Sequence, residues 1–227
     1  MTTGTLAYKI KYSRRRSIGI IVTPDDGVIV RAPYRTPVHL IEKFVSSKSV
    51  WINKHLENYS GMVRLNNSAP SERKSVLLRG REYKLIVAKA ARNSVIVAEE
   101  DITVNIKDPD DKTSVSKLID TWFKRLAARH IASTLDEILV RFNSYRFSPS
   151  ALSVRTMKRR WGSCSSKGKV TINSELVKLE DRYLEYVILH ELCHLHHHNH
   201  SQTFYNLLSE VYPNWKETRK ELRKYIT

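Results

Sequence analysis

Val187–Phe204 reads VILHELCHLHHHNHSQTF, and the reading of the fold turns on this stretch. Residues 190–194 form an H-E-x-x-H motif, directly after an apolar run with helical spacing. Positions four apart on a helix stand one turn above each other on the same face, so His190 and His194 address one point in space. Two neutral imidazoles placed in this way can hold Zn²⁺, and Glu191 projects beside them without being needed as a ligand. A carboxylate in that position takes a proton from metal-bound water, which is the chemistry of zinc-dependent hydrolysis.

A catalytic zinc site takes three protein ligands and leaves one position open. Six of the nine histidines fall within residues 190–200, so His196, His197, His198 and His200 are all candidates for the third. On an unbroken helix His197 and His198 would lie a turn or more beyond the metal, parallel to the first pair. A tetrahedral centre needs a ligand from another direction, so the chain has to leave the helix and turn back. Asn199 tolerates the left-handed conformation that ends helices, and Ser201 suits the cap of a following helix. This reasoning selects His200. Cys193 is rotated away from the histidine face and is expected to pack, although thiolates also bind zinc.

The chain has 227 residues, 41% hydrophobic and 27% charged, enough to bury a core in one large domain or two small ones. No apolar run approaches the roughly 20 residues that span a bilayer, so no membrane association is expected. The opening MTTGTLAYKIKYSRRR lacks the apolar segment of a secretory signal. Two cysteines, Cys164 and Cys193, argue against a disulfide scaffold, and a cytoplasmic location is the expectation. The formal charge of +16 is compatible with DNA or a nucleotide as partner, and equally with a solvated basic surface. Oligomeric state is not legible.

Residues 1–110 read as a strand-rich N-terminal part and 111–227 as the part that carries the motif. LAYKIKYS, SIGIIVTP and GVIVRAP alternate as strands, with Pro24-Asp25-Asp26-Gly27 as the turn between the last two. Arg14, Arg15 and Arg16 form a basic run that is either a solvated face or an anion contact. Pro37–Tyr59 has helical period, with Thr36 as cap and its aromatics turned to the core. Asn66–Arg73 reads as a loop, and strands return at 75–78, 82–87, 94–97 and 101–105. Residues 113–143 carry an apolar stripe suited to one long scaffold helix, capped by Thr113 or Ser114, with His130 structural or exposed. After Ser153 come a strand, a Gly/Ser-rich loop, the strand Lys169–Asn173, a site helix over Asp181–His198 and a helix from Gln202 to Val211. A last helix begins at Asn214, with Glu217 completing a capping box. The fold class is α+β.

Several segments in order resemble the YgjP-like metallopeptidase domain family, a relative of the SprT and WLM groups of small zincins. They are Ser13–Ile18, Val30-Arg31-Ala32-Pro33, Trp51-Ile52-Asn53-Lys54, Arg160-Trp161-Gly162-Ser163-Cys164-Ser165, Ile172-Asn173-Ser174-Glu175-Leu176, the H-E-x-x-H motif, Asn199-His200-Ser201 and Phe204. The resemblance covers nearly the whole sequence. It implies a zincin-like core of the small gluzincin type, with a sheet strand beside the site helix. It also implies zinc ligands at His190, His194 and His200, with Glu191 as base. The spacing to His200 also occurs in metzincins, but their glycine position is His197 here, and no Met-turn is evident. The Trp161 segment is either a loop that shapes the cleft, with Ser163 or Cys164 near the metal, or a tight turn for which Gly162 allows the bend.

Three functions are compatible with these residues. The first is a zinc metallopeptidase, acting on peptide or protein and working near nucleic acid, with the strand Lys169–Asn173 holding an extended substrate. Arg160, Trp161, Ser163, Cys164 and Asn173 are then candidate substrate-binding residues. The second is a nucleoside triphosphate (UTP-type) pyrophosphohydrolase, with Arg155, Lys158, Arg159 and Arg160 on phosphate, although such chemistry favours carboxylate-rich Mg²⁺ sites. The third is a nucleic-acid-binding module with a structural zinc closed by a fourth ligand, a picture in which Glu191 has no purpose.

Overall fold

The computed structural model describes residues 6–23, 26–60, 63–65 and 74–226. It divides into two compact units, Met1–Met62 and Val63–Thr227.

In the first unit β1 (Tyr8–Ser13), β2 (Gly19–Thr23) and β3 (Gly27–Pro33) form a sheet ordered β1-β3-β2. The central β3 runs parallel to β1 and antiparallel to β2. Val28, Val30 and Ala32 of β3 pack with Ile41 and Val45 of α1 (Val38–Ser47) and Ile52 of α2 (Ser49–Ser60). Thr36 does not cap α1. Pro37 is the N-cap, and the Thr36 hydroxyl donates to the Pro33 carbonyl instead, closing the preceding turn. Trp51 is 43% exposed and lies against His55, not in the core. Pro24 and Asp25 of the expected turn, and all of Asn66–Arg73, lie outside the described residues.

The second unit contains β4 (Val63–Arg64), then β5 (Ser75–Leu78), β6 (Arg81–Lys89), β7 (Ser94–Val97) and β8 (Asp101–Ile106), the last four in the order β5-β6-β8-β7. Next come the long α3 (Lys112–Arg141) and a three-stranded sheet of β9 (Ala151–Arg155), β10 (Gly162–Cys164) and β11 (Lys169–Asn173), ordered β10-β11-β9. Then follow α4 (Asp181–Cys193), α5 (Gln202–Val211), α6 (Trp215–Leu222) and β12 (Tyr225–Ile226), which pairs with β4. One core joins Ile131, Leu135 and Ile138 of α3, Val170 and Ile172 of β11, Leu184, Ile188 and Leu192 of α4, and Phe204 and Leu208 of α5. Val76, Leu78 and Ile102 belong to the same core. For that reason the compact units divide at 62/63, whereas the sequence reading divided the protein at 110/111.

Cap chemistry differs from expectation at α3 as well. Asp111 accepts hydrogen bonds from the Thr113 and Ser114 backbone N–H groups, so those two residues are the recipients of the cap and not its source. The N-terminus of α4 is fixed by Asp181, which binds Arg79 and His130. Burial pushes the Asp181 carboxyl up, but the hydrogen bonds from Arg79 and His130 hold it below the usual range. The β5–β6 turn docks on the same end, where the Arg79 and Gly80 N–H groups donate to the carbonyls of Val177 and Lys178.

Candidate metal centre

Helix α4 is buried over most of its circumference, with Tyr183, Leu184, Tyr186–Leu189 and Glu191–Cys193 all buried. The hydrophobic length of the helix thus anchors the motif, and Tyr186, Val187, His190 and Glu191 of its C-terminal half line a cleft. The helix ends at Cys193, five residues before the expected end at His198. His194, Leu195 and His196 form a tight turn, closed by the Leu195 N–H to Leu192 carbonyl and His197 N–H to Cys193 carbonyl bonds. Asn199 is not left-handed; among the described residues only Arg35, Arg79 and Arg146 are positive-φ non-glycines. The backbone instead reverses through the turn and a bend at 198–199, and Ser201 is the N-cap of α5 with no capping bond from its hydroxyl.

The reversal brings His200 back against the motif. Ligand atoms of His190, His194 and His200 lie within 4.8 Å of one another, the single such His/Cys/Asp/Glu group among the described residues. His190 Nε2 and His200 Nε2 are 3.1 Å apart. Zinc–nitrogen bonds of roughly 2.0–2.1 Å at a tetrahedral angle separate two nitrogens by about 3.4 Å, so the spacing fits such an ion. His194 Nδ1 donates to the His197 carbonyl at 2.9 Å, which leaves its Nε2 free for a metal and fixes the ring. Burial, then the neighbouring His194 and His200, push His190 down to about 3. Burial and His194 also push His200 down. Both rings are therefore neutral at physiological pH, as a ligand must be. Phe204 is fully buried beneath all three rings, 5.0, 4.6 and 4.8 Å from their centroids.

The other histidines are occupied elsewhere. His196 Nε2 reaches the Tyr145 carbonyl at 3.0 Å, His197 Nδ1 lies 3.4 Å from Thr203 Oγ1, and His198 is exposed. Cys193 is fully buried, and burial pushes its thiol up to about 12, so it packs and does not ligate.

Glu191 is buried against β10. A Cβ added to Gly162 would come within 2.5 Å of Glu191 Oε1 and 2.7 Å of its Cγ. Gly162 has no positive φ, so glycine is required here for close approach and not for a bend. Burial raises the Glu191 carboxyl to about 7, partly offset by a hydrogen bond from the Cys164 backbone N–H and by the Arg160 charge. The segment expected as a Gly/Ser loop is thus a strand, held through Gly162↔Ile172, Ser163↔Thr171 and Cys164↔Val170 pairing.

Of the expected substrate-binding residues, Trp161 lines the cleft together with Gly162, Tyr186, His190, Glu191 and His200. Arg160 acts on Glu191 through its charge, and Ser163 and Cys164 are half-buried on β10. Asn173 is a correction. It is fully buried, donates to the Met157 and Arg160 carbonyls and accepts from the Met157 and Glu175 N–H groups. Its amide is spent on holding the 157–160 loop and has nothing left for a ligand. The strand Lys169–Asn173 is likewise not an open edge, since β11 is paired on both sides and β10 and β9 are the edges. Sequence reading missed Arg219 and Arg223 of the last helical segment, which also line this cleft.

A motif helix beside a small sheet, three convergent imidazoles and one buried carboxylate make up a candidate metal centre in an α+β fold. The YgjP-like, metallopeptidase domain pattern matches residues 16–225, and the chain belongs to that family. It is a metallohydrolase, and a metal ion is its cofactor. Among solved structures it is similar to the metallopeptidase zymogen of Methanocaldococcus jannaschii jannalysin, with 28% identity over 40% of this chain and 92% of that one and a TM-score of 0.35. It is also similar to the metallopeptidase zymogen of Pyrococcus abyssi abylysin, with 21% identity over 40% and 90% and a TM-score of 0.36. No curated protein matches. Among the described residues no helix is long and apolar enough to cross a membrane.

Proposed function

We propose that the metal is zinc, held by His190, His194 and His200, and that Glu191 is the general base of peptide-bond hydrolysis. The observation that carries this reading is the convergence of three imidazoles beside a buried carboxylate. When bound, zinc supplies Lewis acidity, polarising the scissile carbonyl and making water more acidic. Glu191, held between Gly162 and the Cys164 N–H, takes a proton from the attacking water and delivers it to the departing amine. The edge of β10 offers backbone for an extended peptide, in the manner of strand addition. Three ligands and no fourth in the cluster favour a catalytic over a closed structural site among the described residues. The net charge of +16 supports a second element of the proposal, that the enzyme works on protein substrates near nucleic acid.

Zinc-loaded wild type and Glu191→Gln, compared on a peptide mixture, test the assignment. The variant should keep its zinc and lose about 10²–10⁴-fold in turnover. Full activity in Glu191→Gln refutes the base assignment. DNA should stimulate cleavage of a protein substrate in a salt-sensitive way; no stimulation at low salt removes the nucleic-acid element.

A further inference from the structure

The cleft beside the three histidines carries more positive charge than metal binding calls for. Trp161, Tyr186, Val187 and Leu222 give it apolar walls, and Arg219 and Arg223 add two guanidinium groups. The two arginines are four apart at the C-terminal end of α6, so they stand one turn apart on one face. Arg219 is half-buried, and its charge acts on both His190 and His200.

Three other arginines of this unit have carboxylate partners: Arg79 with Asp181, Arg141 with Glu185, Arg182 with Glu180 and Glu221. Glu221 lies between Arg219 and Arg223 in sequence, yet it turns to Arg182 at 2.7 Å. Among the described residues neither Arg219 nor Arg223 has an ion-pair partner. A dication bound at the histidines would add to the positive charge of the two arginines. Apart from Glu191 the charged side chains that line the cleft are positive, and positive charge between apolar walls attracts an anionic group.

We propose that Arg219 and Arg223 bind a carboxylate of the substrate, next to the scissile bond. The carboxylate belongs to an acidic residue of the peptide or to its free C-terminus. This inference rests on the peptidase reading above and names the substrate class of the same site. A planar guanidinium meets a carboxylate through two parallel hydrogen bonds, which gives orientation as well as attraction. The cleft, of about 280 Å³, is at the small end for ligand sites and suits one or two residues of an extended peptide. Fixing a carboxylate at α6 would set the register of the peptide relative to Glu191, which is how remote binding serves the chemical step.

The test uses four matched peptides: neutral with an amidated C-terminus, neutral with a free C-terminus, amidated with one internal Glu, and amidated with one internal Lys. Zinc-loaded Glu191→Gln protein binds without cleaving, so calorimetry reads affinity independently of turnover. One or both carboxylate peptides should bind roughly 10- to 100-fold more tightly than the neutral amide, and the arm that does so identifies the source. Adding Arg219→Gln and Arg223→Gln should erase that preference at unchanged zinc content, and Arg219→Lys should restore part of it. In active protein the same substitutions should lower the acidic-to-neutral ratio of kcat/KM mainly through KM. Equal affinity for all four peptides, or a preference that survives both substitutions, overturns the proposal. So does tighter, arginine-dependent binding of UTP than of any peptide. Carboxylate binding through the arginines without any peptide cleavage by wild type would refute the peptidase reading and leave this one standing.

Discussion

Gly162→Ala replaces one hydrogen with a methyl group at the point where β10 meets the Glu191 carboxylate. The new Cβ would lie 2.7 Å from Glu191 Cγ, about 0.7 Å inside the 3.4 Å at which ordinary contact begins. Backbone strain does not confuse the result, because Gly162 is not in a left-handed conformation. The strand cannot retreat freely, since Gly162 is in register with Ile172, which is fully buried. Glu191 therefore has to swing away by roughly 0.5–1 Å, a displacement that typically costs about 10²-fold in rate. Crowding of this kind also costs about 1–3 kcal/mol of stability. The three atoms nearest the methyl all belong to Glu191, so zinc stoichiometry should be unchanged. The assay is kcat on a cleaved peptide for zinc-loaded wild type and variant, with metal content and Tm measured on the same samples. Wild-type kcat in Gly162→Ala would refute the placement of Glu191 against β10.

Other perturbations have equally definite outcomes. Lys178 and Glu175 form a buried pair at 2.5 Å, with side chains 6% and 11% exposed. Lys178→Met removes the ammonium from a buried carboxylate and should cost about 3–5 kcal/mol, read as a Tm drop on the order of 10 °C; an unchanged Tm contradicts it. His200→Ala should lose zinc, whereas His197→Ala should keep it, because His197 supports His194 through its backbone carbonyl; the reverse order would move the third ligand. His190 is held near 3 when folded against an ordinary 6.5, so the unfolded protein binds the proton first as the pH drops. Its contribution to the metal-free protein is present above about pH 6.5 and is lost as pH falls toward 3. Asp181, also held low, adds to that loss. Denaturant titrations of metal-free protein should show falling stability across this window, and a flat profile would contradict the burial of His190.

The clustering of His190, His194 and His200 was legible in the sequence because its geometry is mostly local. His190 and His194 are related by one helical turn, and the need for a ligand from another direction selects His200. The exit route was misread because His196–His198 continue a helical spacing, while the hydrogen bonds that end α4 at Cys193 leave no mark in composition. The three-residue β10 owes its strand state to pairing with β11, so a Gly/Ser-rich segment read alone gives no sign of it. Gly162 is explained by Glu191, 29 residues away, and a contact of that kind has no spacing signature. Asn173 reads as an exposed polar strand end, but the Met157–Arg160 loop folds over it and takes up its amide. Arg219 and Arg223 sit in a charged helix that reads as a solvated face; only the packing of α6 across the cleft gives them a role.

The central claim is that zinc and Glu191 act on a peptide bond. Mass spectrometry of products tests it most directly, with zinc-loaded wild type and Glu191→Gln each incubated with a peptide mixture and with UTP. New peptide termini should appear with wild type only, with UTP intact. Phosphate or pyrophosphate released from UTP in a Glu191-dependent reaction, with every peptide left whole, would contradict it.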